Sequence, residues 1–164
     1  MRTITALVLC ALLCALLCAP IYAQKYTVRN SGNYEVVTLG VGADGTKTFK
    51  IFVTEKTERK AIPLAKKAAI EVCVFRGLPA TSTVSATPAL CSLSDEQKHA
   101  AFFEEFFAPG GQYLRYVNVT SSENPSKEKV KGGFKFGLEV QVLYNNLRKD
   151  LQDAGVIRSL SSGF

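Results

Sequence analysis

Phe134, Phe136, Leu138, Val140 and Val142 alternate with Lys135, Glu139 and Gln141, the cleanest period of two in the chain, and predict a strand. A second alternation, Val37, Leu39 and Val41, predicts a strand from Tyr34 to Val41. Ala43-Asp44-Gly45 supplies turn chemistry for a hairpin into Thr46 to Thr54, where Phe49, Ile51 and Val53 share one face and mark the core side. Tyr113, Arg115, Val117 and Val119 alternate against Leu114, Tyr116 and Asn118, so Gln112 to Thr120 also reads as a strand. The polar stretch Ser121 to Lys131, with Pro125 inside it, is then a charged hairpin link into the strand over 134–142.

Between the two strand pairs the period changes. Thr57 to Arg76 is helical in composition, and Pro63, tolerable only near a first turn, places the regular helix from about Ile62. Ile62, Ala65, Ala68, Ala69, Val72, Cys73 and Phe75 form a wide apolar arc, so this helix is expected to be covered on more than one side, with its alanines lying close to a sheet. Gly77 to Leu93 has two prolines, many small polar residues and no periodicity, which makes it a long loop that must be tied down, functional or mobile. Ser94-Asp95-Glu96-Gln97 then reads as a capping box. The helix it opens carries His99, Phe102, Phe103, Phe106 and Phe107 on one face, and Ala108-Pro109-Gly110-Gly111 stops it. A last short helix, capped at Asn145 and apolar at Leu147 and Leu151, ends at Gly155. The fold class is therefore α+β: an antiparallel sheet of about four strands with two to three helices packed on one face.

The N-terminus is read separately. Arg2, an apolar run from Ile4 to Ala19 and the small residue closing Ile21-Tyr22-Ala23 predict a secretory signal peptide over residues 1–23, leaving residues 24–164 as a single α+β domain. A membrane-anchoring helix is the first alternative, weakened by Thr5, by Pro20 and by the lack of a following positive cluster. A lipoprotein is the second. Cys14 and Cys18 each follow a leucine, where a small residue would precede a lipid-bearing cysteine. The expected location is outside the cytoplasm: periplasm, outer-membrane surface or secreted, with membrane association open but no spanning segment in the processed chain.

Charge narrows the partners only a little. The chain carries 20 Lys and Arg against 14 Asp and Glu, a net of +6 that falls by one when Arg2 leaves. The cations are spread along the sequence, usually with an acid nearby, which reads as a solvated surface with weak attraction to anionic surfaces; no nucleic-acid partner is expected of an exported protein. Cysteine usage leaves two readings. Cys73 and Cys91 alone survive cleavage, and in an oxidising compartment they can bond, closing a loop of roughly 19 residues for about 3 kcal/mol. Equally, they can be free, buried thiols acting as small hydrophobes.

Catalytic chemistry finds few candidates. His99 is the only histidine, and its place on the phenylalanine face reads as packing rather than general-base work. A Cys73/His99 thiol enzyme would need a reactive thiolate, whereas Cys73 lies in an apolar arc that would raise its pKa. One histidine with two distant cysteines gives no metal set, and Glu104-Glu105 point to different parts of a solvated helix surface. Gly40, Gly42 and Gly45 surround a hairpin turn rather than a phosphate loop. No catalytic residue, cofactor or metal is expected.

The order of parts resembles a small exported domain shared by the N-terminus of the flagellar protein FlgT and a family of bacterial envelope lipoproteins. The matching parts are the Ala-rich helix Ala61 to Val72, the strand Tyr113-Leu114-Arg115-Tyr116-Val117, the alternating strand Phe134 to Val142 and the Leu-rich end Leu143 to Leu151. The chain is also similar to uncharacterised secreted proteins of gut-type Bacteroidetes through Val74-Phe75-Arg76-Gly77, Phe102-Phe103, Phe106-Phe107 and Asp153-Ala154-Gly155-Val156-Ile157. It departs in lacking a clear lipidation cysteine and in its long Ser/Thr/Pro-rich loop. The resemblance implies fold and compartment and brings no catalytic residue. Two functions follow: a non-catalytic cell-envelope module that binds an envelope protein or cell-wall component through a sheet edge, the long loop or exposed aromatics around Tyr113, Arg115 and Tyr116; or a small secreted hydrolase or ligand carrier. Few acid, base or nucleophile candidates favour the first.

Overall fold

The computed structural model describes residues 34–120 and 125–158; the signal peptide expected over residues 1–23 lies outside them. Among the described residues five strands, β1 (Glu35–Val41), β2 (Lys47–Glu55), β3 (Val117–Val119), β4 (Ser126–Val130) and β5 (Gly133–Val142), form one sheet in the order β1-β2-β5-β3, with β4 also on β5. All pairings are antiparallel. The ten-residue β5 is the spine, pairing with β2 from Lys47↔Val142 to Glu55↔Phe134. Its other side is shared, β4 taking the half around Phe134 and β3 the half around Val140. The alternation read from sequence is the reason: Phe136, Leu138, Val140 and Val142 are at most 1% exposed and meet Phe49, Ile51 and Val53 across the β2 register.

The strand at the β1 edge forms as expected, but its buried residues are Val36 and Thr38, while Val37, Leu39 and Val41 are 44, 45 and 48% exposed. The register explains this. Val36 and Thr38 face the inner residues Ile51 and Phe49, and a bulge between Thr38 and Gly40 then breaks the alternation.

One helix dominates the inner face. Helix α1 (Glu58–Glu71) crosses β2, β5 and β3, bringing Ala61, Ala65, Ala68 and Ala69 to full burial. It starts four residues before the expected Ile62, so Pro63 sits in its second turn. That is tolerable because Pro63 is exposed, and water can serve the Arg59 carbonyl that the missing N–H leaves behind. The helix runs on as a π-helical turn, Val72–Arg76, closed by Gly77 at φ +80°.

The long loop is tied down by backbone rather than by a disulfide. Cys73 and Cys91 are free and buried. The Leu90 and Cys91 amides donate to the Cys73 and Val74 carbonyls at 3.2 and 2.8 Å, next to the π-helical turn. Leu78 and Thr87 exchange two bonds of 2.8 and 2.9 Å, and a Cβ on Gly77 would come within 2.8 Å of the Ala89 nitrogen. Thr38 Oγ1 and Tyr144 Oη donate to the Pro79 and Pro88 carbonyls at 2.7 and 3.0 Å. Every anchor here is a main-chain atom of the loop, so no covalent tie is needed to order it.

Two short helices follow, α2 (Leu93–Lys98) and α3 (Ala100–Phe106), split at His99. The capping box is Ser92 with Asp95, two residues before the one expected at Ser94 and Gln97: Ser92 Oγ accepts from the Asp95 amide at 3.2 Å, and Asp95 Oδ2 accepts from the Ser92 amide at 3.3 Å. The phenylalanine face is real. Phe103, Phe106 and Phe107 are buried, and Phe75 meets Phe103 edge-on at 4.9 Å. Gln112–Tyr116, expected as strand, is a 3₁₀ helix, and only Val117–Val119 extends. Three residues per turn place Tyr113 and Tyr116 on one side, and burying both outweighs the weaker alternation. The last helix, α4 (Tyr144–Asp153), starts one residue before Asn145, whose side-chain amide instead donates to the Asp44 carbonyl at 3.0 Å.

Candidate functional site

Tyr113 and Tyr116, expected as exposed aromatics, are 6 and 4% exposed. Burial comes from the 3₁₀ turn, which points them at Phe107 and Phe106, with ring centres 5.7 and 6.1 Å away. Arg115 between them is exposed, its guanidinium 5.9 Å from the Tyr116 ring centre. Tyr116 Oη donates to Asp150 Oδ2 at 2.5 Å, and burial together with that carboxylate pushes the phenol up to about 12. Around this pair lies a cavity of about 220 Å³ lined by Phe102, Phe106, Leu147 and Leu151, with Gln112 and Asp153 at its polar side. It has carboxylates and a phenol held firmly protonated, but neither a thiol nor an imidazole among its lining residues. Burial likewise pushes the thiols of Cys73 and Cys91 up to about 12, which keeps them as unreactive SH groups at neutral pH. Among the described residues no three His, Cys, Asp or Glu converge in a way that could hold a metal ion.

A polar cluster that the sequence reading passed over sits between α1 and α2. Glu71 is 4% exposed and lies 4.0 Å from Lys67 Nζ, and Glu96 is 5% exposed with no hydrogen-bond partner for Oε1 among the described residues. Burial raises the Glu71 carboxyl to about 7, Lys67 opposing and Glu96 adding to the shift, and burial raises Glu96 as well. The phenols of Tyr34 and Tyr113 are raised by burial and by the nearby Glu71 charge. One signal was present: Glu71 stands in the run Ala68-Ala69-Ile70-Glu71-Val72-Cys73, where a carboxylate has apolar neighbours on both sides. Neither glutamate lines the cavity beside Tyr116.

The remaining surface is the sheet itself. Helix α1 covers only the inner face, leaving the outer one with Lys50, Phe52 and Lys135, whose ammonium groups lie 5.7 and 4.8 Å from the Phe52 ring centre. Phe52 lies over Gly137, where a Cβ would fall 2.7 Å from the ring, so glycine is what lets the ring settle there. Lys135 also pairs with Glu35 at 2.5 Å. Beyond this ordered patch is β1, an edge strand with no described strand on its free side. Val37 and Leu39 are open on it, and Val41 is open at its end. Edge strands of soluble domains are usually blunted by charge, and this one bears Glu35 alone among ionisable residues.

Among the described residues no helix is long and apolar enough to cross a membrane. Comparison with protein-family models, with curated proteins and with solved structures finds no match.

Proposed function

We propose that this domain is a non-catalytic, exported cell-envelope module that binds an envelope protein by strand addition at β1. The observation that carries the reading is the edge of β1, on which no described strand lies, with Val37, Leu39 and Val41 between 44 and 48% exposed. An extended segment laid along that edge gains main-chain hydrogen bonds from the strand and apolar contact from these side chains. The ordered Lys50/Phe52/Lys135 patch beside it offers cationic and aromatic contacts to the same segment. The export signal read at residues 1–23 and the resemblance to the FlgT-type envelope domains support the compartment. The hydrolase alternative is disfavoured by buried, unreactive thiols. A ligand carrier has two hollows behind it: the cavity of about 220 Å³ beside Tyr116, below the usual several hundred Å³ of a small-molecule site, and a hollow of about 440 Å³ lined by Glu105, Gln112, Leu114 and Arg115 that is too open to solvent to enclose a ligand.

The test is a substitution series on the exposed edge. Leu39→Lys leaves the core untouched and is expected to keep stability within about 0.5 kcal/mol. In native cells it should abolish co-purification of the partner captured by the unchanged chain, whereas Leu114→Lys, at an exposed site away from the edge, should leave it intact. Equal capture by all three chains would remove β1 from the interface.

A further inference from the structure

The fold gathers cations that the sequence disperses. Lys56 follows the end of β2, Arg59 and Lys60 lie in the first turn of α1, and Lys127, Lys129 and Lys131 belong to β4 and its turn into β5. The register joins these segments at one end of the sheet: β5 starts between them, Phe134 pairing with Glu55 on one side and with Lys129 on the other. The contact is close, since a Cβ on Gly133 would lie 2.8 Å from the Glu55 carbonyl oxygen and 3.4 Å from the Lys56 nitrogen. All six cations are exposed, and the acids among them are only Glu55, Glu58 and Glu128. None of the six forms an ion pair among the described residues. Lys127 alone is held, its ammonium 4.0 Å from the Phe134 ring centre. Arg59 and Lys60 moreover stand at the positive end of the α1 dipole, where a cation is disfavoured. Charge collected against these costs is best satisfied by an anion from outside.

We propose that this basic end docks an anionic polymer of the cell surface, a chain of repeated phosphate or carboxylate groups. A lipid surface fits less well, because stable membrane adhesion combines a basic patch with an apolar anchor. Among the described residues the exposed large apolar ones, Val37, Leu39, Val41, Leu93 and Leu114, are all on other elements. A nucleic acid would look for a free aromatic platform for its bases. Here Phe134 is half-buried and lies beneath Lys127. What remains is recognition by charge, which a flexible polyanion satisfies by releasing its counterions.

The experiment is a titration of the full chain with short-chain inorganic polyphosphate at several salt concentrations. Binding should weaken as salt rises, and each of Lys129→Gln and Lys131→Gln should lower the slope of log affinity against log salt by about 0.7. The double substitution K129E/K131E should lose binding, while Lys98→Glu on α2 should bind like the unchanged chain. No polyphosphate binding at low salt, or the same loss in Lys98→Glu as in K129E/K131E, would overturn the proposal. Retention by phosphatidylglycerol vesicles without polyphosphate binding would also overturn it, in favour of a lipid surface.

Discussion

Glu71 shows at the residue scale how burial turns an ordinary side chain into a titrating element of the fold. Its carboxyl is favoured in the protonated form because the charged form would have little solvent and one distant cation, and because Glu96 is close by. The folded-state pKa, about 7, is above the ordinary 4.5, so the folded chain holds a proton that the unfolded chain releases sooner. The associated stability is fully present below pH 4.5, declines between there and about 7, and is gone above it. The expected fall is on the order of 3 kcal/mol. Denaturant unfolding followed from pH 4.5 to 8 should show that decline, and Glu71→Gln should flatten it while retaining the fold. A pH-independent stability in the unchanged chain would mean that both glutamates are solvated. None of this was readable from sequence beyond an isolated glutamate in an apolar run, since the second carboxylate arrives from α2, 25 positions further on.

Elements were legible where a single period ruled them. In β5 the inner residues alternate through the whole strand, as read; in α1 Ala65, Ala68 and Ala69 keep the helical period read for them, and Ala61 joins them because the helix starts at Glu58 rather than at the expected Ile62. Reading failed where two signals competed. Gln112–Tyr116 alternates weakly, but a spacing of three lets Tyr113 and Tyr116 reach the phenylalanine cluster together, and this burial decides for a 3₁₀ turn. Ser92-x-x-Asp95 and Ser94-x-x-Gln97 both have cap spacing, and the shorter aspartate makes the earlier box. Asp95 gains from it, its carboxyl being held low by the Ser92 hydroxyl and amide. The two caps separate in a simple comparison: Ser92→Ala should cost about 1 kcal/mol of stability in thermal or denaturant unfolding, and Ser94→Ala a few tenths at most. The reverse order would return the helix start to Ser94.

On the scale of the whole molecule, the architecture followed from the order of periods, while the surfaces did not. Which face of β1 is buried depends on the β2 register and on a bulge, and neither is encoded in β1 alone. The basic end likewise exists only because β5 lies between Glu55 and Lys129. The aromatic positions singled out from sequence, Tyr113 and Tyr116, are consumed by the core, leaving Arg115 as the exposed member of that set. Strand addition at β1, as proposed, is tested by a photo-crosslinking side chain at Val37, with a second chain carrying it at Leu114 as reference, in native cells. A discrete adduct with one other protein is expected from position 37, absent from position 114 and absent when Leu39→Lys is added. An adduct with a second copy of this chain, or none from position 37, would contradict the proposal.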